Sequence, residues 1–322
     1  MADVCKRVPI FCGLFLLFFF CRPVSVAANE LTITPQEVDG QRVTTSDVTL
    51  PLDGRQHQLT LSVTNFSEQN QLFRYQGVQA MTDAKGQLTY GTTGSFATEV
   101  LVSFEQLFPE ASLEMQAGET KEIALNFALP QIAEGEALGA LQFRSQEGTY
   151  GLPMKLSGTK GLPKATLAVT KITGALVENL PALKVTIANS TPLAVADEPV
   201  HLTVVHSQFF GLVKKSWQIK LADVTWAPNG ELNYPISMNG TALPSGNYQI
   251  TGTIGEKVGQ ANVNESFTLT RAQAAAINQQ APAVNDATLR WGIPVLIGLT
   301  VILILVITVA LRQNRKRRIS QQ

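Results

Sequence analysis

The chain has 322 residues and a mass of 34.8 kDa, with 45% hydrophobic and 16% charged residues, enough for about two packed domains of ~100–200 residues and too much for one small globule. Its 25 basic and 25 acidic side chains cancel, but eight of the bases lie at the two apolar ends, so residues 29–290 keep 17 bases against 24 acids, a net charge of about −7. An acidic middle argues against nucleic acid, or a polyanionic wall polymer, as an electrostatic ligand, because each phosphate contact needs a Lys or Arg to displace counterions.

Lys6 and Arg7 precede an apolar run from Val8 to Cys21, and Ser25-Val26-Ala27-Ala28 follows, with Val26 and Ala28 at −3 and −1 of a cut after Ala28. Residues 1–28 thus read as a secretory signal peptide; the run is short of the ~20 residues of a membrane span. Neither Phe11-Cys12 nor Phe20-Cys21 has the small residue that lipidation signals place before the cysteine. Cys5, Cys12 and Cys21 all fall within this stretch, so the mature chain is expected to hold no disulfide, thiolate nucleophile or Cys metal site and to rely on its core. A secreted chain built this way fits a bacterial envelope better than an animal one.

From residue 31 to 270 apolar residues alternate. Leu59, Leu61 and Val63, then Ile123, Leu125 and Phe127, then Leu141 and Phe143, then Leu183, Val185 and Ile187, each read as the buried face of a strand. Short strands at roughly ten-residue spacing, without a long helical pattern, predict an all-β chain of two immunoglobulin-like antiparallel β-sandwiches. An internal repeat supports two related units: Gln58–Ser67, QLTLSVTNFS, aligns with Ala182–Thr191, ALKVTIANST, each an alternating strand that ends at Asn before a hydroxyl residue. Later in each half a Gly turn leads into a strand, Gly118 before Ile123 and Gly246 before Ile250. The Gly/Pro stretch 158–163 separates a domain at 29–160 from one at 164–270.

Residues 271–290 read as a short Ala-rich helix over Arg271–Asn278 and a polar stalk. Trp291–Leu311 carries no charge over twenty-one residues, about 31 Å as a helix against a ~30 Å hydrocarbon core, and predicts a transmembrane helix. Arg312, Arg315, Lys316, Arg317 and Arg318 follow at once, so the tail 312–322 is expected in the cytoplasm and the topology is single-pass type I, with the ectodomain facing the cell wall. No LPxTG-type sorting motif precedes the span, and no output domain for a signalling receptor is expected in the short basic tail.

Chemistry is sparse. The mature chain has only His57, His201 and His206; the last two, five apart on one strand, face opposite ways and are unsuited to share a metal. No nucleophile elbow, zincin helix or phosphate loop is present. Glu134 with Glu136, and Asp197 with Glu198, are carboxylate pairs of the kind a glycosidase uses, but adjacent carboxylates read better as solvated turns, and no cofactor, metal or enzymatic activity is expected. The Asn-X-Ser/Thr sites at Asn65, Asn189, Asn239 and Asn264 read as turn chemistry. Trp226, beside a Pro-Asn-Gly turn, reads as core. Phe209 and Phe210, ahead of Gly211 where a hairpin should turn, are the candidate protein-protein contact, since adjacent strand residues face opposite sides and one of the two is left outside.

Trp226–Gly240, WAPNGELNYPISMNG, then Leu243-Pro244-Ser245-Gly246-Asn247-Tyr248 and Phe267-Thr268-Leu269-Thr270 before the Ala-rich helix, resembles the second ectodomain of WxL-interacting proteins of Gram-positive bacteria. Leu31–Pro35, Val63-Thr64-Asn65, the Gly118–Lys121 turn and Gly139–Phe143 are similar to that family's first domain; the likeness covers roughly residues 31–275. The resemblance implies a first domain that binds peptidoglycan and a second that binds WxL-domain surface proteins or host proteins, the chain tying them to wall and membrane. It transfers no residue-level site. An adhesin for host matrix proteins is the alternative, and a wall-modifying enzyme a remote one.

Overall fold

The computed structural model describes residues 30–208, 213–257, 260–281, 298–304 and 306–308. The expected cleavage after Ala28, the Phe209–Phe210 contact and the basic residues Arg312, Arg315, Lys316, Arg317 and Arg318 lie outside the described residues.

The first domain runs β1 (Leu31–Val38), β2 (Gln41–Arg42), β3 (Val48–Pro51), β4 (Gln56–Asn65), β5 (Gln71–Thr82), β6 (Leu88–Gly91), a one-turn helix α1 (Phe104–Leu107), β7 (Ala111–Met115), β8 (Thr120–Ala128), β9 (Glu136–Arg144) and β10 (Thr149–Ser157). One sheet has the order β2-β1-β4-β8; the other is β3-β10-β9-β5-β6, with β7 also on β5. Their inner faces share a single core in which Leu59, Leu61, Val63, Phe73, Leu141 and Phe143 are fully buried. The antiparallel expectation needs one correction. β3 pairs with β10 in parallel, Val48 opposite Met154 through Pro51 opposite Ser157, because the chain leaves the first sheet after β2 and enters the second alongside its last strand rather than by a hairpin.

The second domain runs β11 (Leu167–Val177), β12 (Leu180–Asn189), β13 (Val195–Gln208), β14 (Val213–Trp226), β15 (Glu231–Ser237), β16 (Gly246–Ile254), β17 (Ala261–Leu269) and α2 (Arg271–Gln280). Its sheets are β11-β12-β15 and β14-β13-β16-β17, closed around Leu183, Val185, Ile187, Val204, Ile219, Trp226 and Ile250. The Ala-rich helix forms as expected and extends to Gln280. Thr270 caps it with a reciprocal bond from Gln273, and Asn278 fastens it to the backbone of Leu243 through both amide atoms (2.8 and 3.0 Å).

Residues 298–304 and 306–308 are helical. Among the described residues no helix is long and apolar enough to cross a membrane.

The two cores are separate but the domains interlock. Thr225 donates its amide to the Gly86 carbonyl (2.8 Å), Ala227 to Thr82 Oγ1 (2.9 Å), and Ala97 to the Asn229 carbonyl (2.8 Å). Phe96 and Gly230 form an antiparallel bridge. Gly86, at φ +81°, lies so close that a Cβ there would meet Val224 at 2.8 Å. On the other flank Glu136, 1% exposed, pairs with Lys155 (2.5 Å) and accepts the Ala194 amide (2.6 Å).

Candidate functional site

The repeat read in the sequence is a repeated hydrogen-bond motif. β4 and β12 are the middle strands of their sheets, and each ends at a fully buried Asn. Asn65 Nδ2 donates to the carbonyls of Gln69 (3.0 Å) and Gln116 (2.9 Å), and Asn189 Nδ2 to those of Leu193 (2.6 Å) and Ala227 (3.1 Å). Ser67 and Thr191 donate their amides back to the Asn Oδ1 (3.1 and 3.2 Å). The backbone follows suit: Asn65 N–H reaches Glu119 O and Asn189 N–H reaches Gly230 O, both at 2.9 Å. One side chain thus ties the strand end, the loop after it and the turn into the next sheet neighbour. The Gly118 turn accordingly matches the Asn229-Gly230 turn and not the Gly246 turn, since β8 and β15 are the strands beside β4 and β12.

In the second domain this end is closed, with Asn229 Nδ2 on the Glu99 carbonyl (3.1 Å) and Glu136 on the Ala194 amide. In the first domain it is open. Two adjoining depressions of about 430 and 400 Å³ lie there, sharing Asn70, Gln71 and Leu72. The larger adds Gln69, Arg74, Arg144 and the 145–147 turn; the smaller adds Glu114, Met115, Gln116, Glu119 and Lys121. Phe66 (61%) and Leu72 (50%) are exposed here. Burial of β5 alternates because Phe73 points into the core, while the outer face passes from exposed Leu72 and Arg74 to buried Val78, Ala80 and Thr82, where β14 and β15 approach. At the rim the neighbouring Glu147 carboxyl holds that of Glu30 above its ordinary value, and Gln71 donates to Glu147. Amides, two guanidiniums and an exposed Leu suit a polar polymer with some apolar substituents.

The histidines divide as their strand positions require. His201 is exposed and His206 buried, its Nε2 on the Ser245 carbonyl (3.2 Å) and its ring 4.4 Å from Tyr248; burial pushes its pKa below the ordinary 6.5. His57 sits between Asp39 (2.8 Å) and Asp53 (3.1 Å). Among the described residues no cluster of His, Cys, Asp and Glu is fit to hold a metal.

The reading of both carboxylate pairs as solvated turns is corrected. Glu136 is buried in the joint just described, and Glu198, fully buried, accepts the amides of Glu256 (2.5 Å) and Lys257 (3.0 Å). In each pair one carboxylate is a structural acceptor of backbone amides, which no spacing rule distinguishes from a surface turn. Asn264 is likewise not at a turn; it lies within β17 and accepts from Gln249 (3.3 Å). Trp226 is core, as expected. The sequence signal for the open groove is Gln69-Asn70-Gln71, an amide cluster that runs from the loop after the Asn65 strand end into β5.

Residues 49–145 match the model described as WxL Interacting Protein, peptidoglycan binding domain, and residues 146–279 match WxL Interacting Protein, host binding domain. The two models meet inside the β9–β10 hairpin, whereas the hydrogen bonds keep β10 in the first domain. No curated protein matches the chain. Among solved structures it is similar to the CsuC-CsuE chaperone-tip adhesion subunit pre-assembly complex from archaic chaperone-usher Csu pili of Acinetobacter baumannii, at 11% identity and TM-score 0.31 over 73% of this chain and 97% of that one. It is also similar to the class 5 fimbriae chaperone CfaA, at 10% identity and TM-score 0.26 over 73% and 99%. Likenesses this distant carry no argument about function. Both matched families are binding domains, one for the cell wall and one for surface or host partners.

Proposed function

The chain belongs to the WxL-interacting protein family, and we propose that it is a membrane-anchored surface scaffold that grips peptidoglycan with its first domain and a WxL-domain surface protein with its second. The observation that carries the wall-binding half is the open, amide-lined end of the domain that matches the peptidoglycan-binding model, where the second domain has its own equivalent end closed. The anchoring half rests on the signal-like residues 1–28, the uncharged segment 291–311 and the basic tail behind it, which together favour a type I topology.

Full-length chain in mild detergent should pellet with purified Gram-positive sacculi, and a purified WxL-domain protein added to the mixture should pellet only when the chain is present. In cells, the chain should resist alkaline extraction from membranes. If the chain stays in the supernatant of the sacculus assay, the scaffold reading fails.

A second reading is favoured by one observation, the host-binding description of the model matched by residues 146–279. On it, the second domain is an adhesin for host matrix proteins, and the chain would bind immobilised fibronectin or collagen equally well with or without wall fragments.

A further inference from the structure

We propose that the open groove of the first domain recognises a free carboxylate of the peptidoglycan stem peptide, received between Arg74 and Arg144. The proposal rests on the wall-binding reading and assigns it a place and a ligand chemistry.

Arg74 and Arg144 are direct partners in the β5–β9 register, so both side chains leave the same face of the sheet side by side. Like charges opposite one another weaken a sheet, and the fold alone has no use for two guanidiniums there. Their partners are slight. Arg74 lies 3.5 Å from Glu110 with both side chains more than half exposed, and Arg144 Nε donates to Gln142 Oε1 (2.7 Å). Among the described residues no carboxylate forms an ion pair with Arg144. An exposed pair such as Arg74–Glu110 contributes little and is readily exchanged for a better acceptor. Each guanidinium carries five N–H donors in a planar fork, so a carboxylate placed between two of them gains charge-assisted bonds and removes their mutual repulsion.

The surroundings fit a peptide that carries this carboxylate. Leu72 lies on the same face two residues before Arg74 and is half exposed, matching an alanine methyl, while Gln69, Asn70 and Gln146 offer amides that both donate and accept, as a peptide backbone requires. The depression of about 430 Å³ is in the size range of small-ligand sites. A neutral glycan strand gives the two arginines nothing to neutralise, and a polyphosphate polymer, charged at every repeat, meets the acidic field of the ectodomain along its whole length where a single carboxylate meets it once, between two arginines. Along β5 the same face is buried at Val78, Ala80 and Thr82, where the second domain approaches, which leaves the arginine end of that strand open.

The test uses full-length chain in mild detergent and four wall preparations: sacculi stripped of teichoic acid, the same sacculi with carboxylates converted to amides by carbodiimide and ammonia, glycan strands freed of stem peptides by an amidase, and sacculi with teichoic acid intact. Wild type should bind the stripped sacculi and lose about tenfold or more on the amidated ones and on the bare glycan. R74Q/R144Q should show the same loss on stripped sacculi, with R74K/R144K between. Because the chemical amidation leaves the protein untouched, a folding defect in the variants does not confuse the outcome. Equal binding to bare glycan, equal binding by R74Q/R144Q, or binding only where teichoic acid remains would each overturn the assignment while leaving wall binding in place. Failure of wild type to bind any preparation would instead overturn the wall-binding reading beneath it.

Discussion

The two domains share one strand-end motif and put it to opposite uses. At Asn65 the tied loop and turn frame an open groove; at Asn189 the same hydrogen bonds hold a surface against which the first domain's 82–99 region and Glu136 are packed. A rigid end with its backbone polar groups already satisfied internally is a good docking face, and in this molecule one copy has been spent on the neighbouring domain while the other remains free. The difference also reassigns the Trp226–Gly240 stretch that carried the family resemblance. Ala227, Asn229 and Gly230 make the interdomain joint, so that part of the stretch has a reason to exist without any external partner.

The sharpest way to break this comparison is to remove the two asparagines one at a time. N189A leaves the Leu193 and Ala227 carbonyls without their donor, Ala227 being fully buried, and should cost about 3 kcal/mol in denaturant unfolding. N65A removes the same bonds, but Gln69 and Gln116 are exposed and water can replace the lost donor, so the cost should be nearer 1 kcal/mol. Equal losses would mean that the two ends are not differently closed.

A smaller effect should follow from the joint itself. E136A withdraws the acceptor from the Ala194 amide and leaves Lys155, which is partly exposed, to solvent, at about 1–2 kcal/mol. Its informative consequence is cooperativity: wild type should unfold the two cores together, and E136A should separate them into two calorimetric transitions. The joint also bears on where to place substitutions. Cutting the chain into single domains would expose Thr82, Glu136 and Asn229, which are buried in the intact protein, so point variants in the full chain test the division of labour more cleanly than isolated halves.

Much of this architecture could be read from the alternation of apolar residues. All four stretches singled out, from Leu59 to Ile187, fall in strands, and the Asn-hydroxyl repeat located the equivalent central strands because half of its hydrogen bonds are local, within two to four residues. What could not be read depends on chain segments far apart. The parallel β3–β10 pair joins residues about a hundred positions apart, and Glu136 and Glu198 look like surface carboxylates until the amides of Ala194, Glu256 and Lys257 arrive from other loops. The Arg74–Arg144 pairing has the same character: two unremarkable surface arginines become a site only through sheet register.

Acid titration offers the finest test of how differently the domains are built, through their buried histidines. His206 has a carbonyl on one ring nitrogen, Tyr248 against its ring and Lys215 as a neighbouring charge, and burial holds its pKa below the ordinary 6.5. Protons therefore bind the unfolded second domain first; the stability this gives is present above pH 6.5 and is lost as pH falls through the lower folded value. The buried histidine of the first domain, His57, lies instead between two carboxylates. The Gln58 amide and His57 draw Asp39 below its usual 3.8, and Asp53, though burial opposes it, is drawn down by His57 and the Arg55 amide. Those carboxylates contribute stability above about pH 3.8 and lose it only as pH falls further. In an E136A background, where the two transitions are resolved, lowering the pH from 7.5 to 5 should shift the second domain's transition downward while these carboxylates leave the first domain's in place, and H206Q should flatten that dependence. If both transitions shift together between pH 7.5 and 5 in H206Q, some other group sets the acid sensitivity, and the burial of His206 does not govern it.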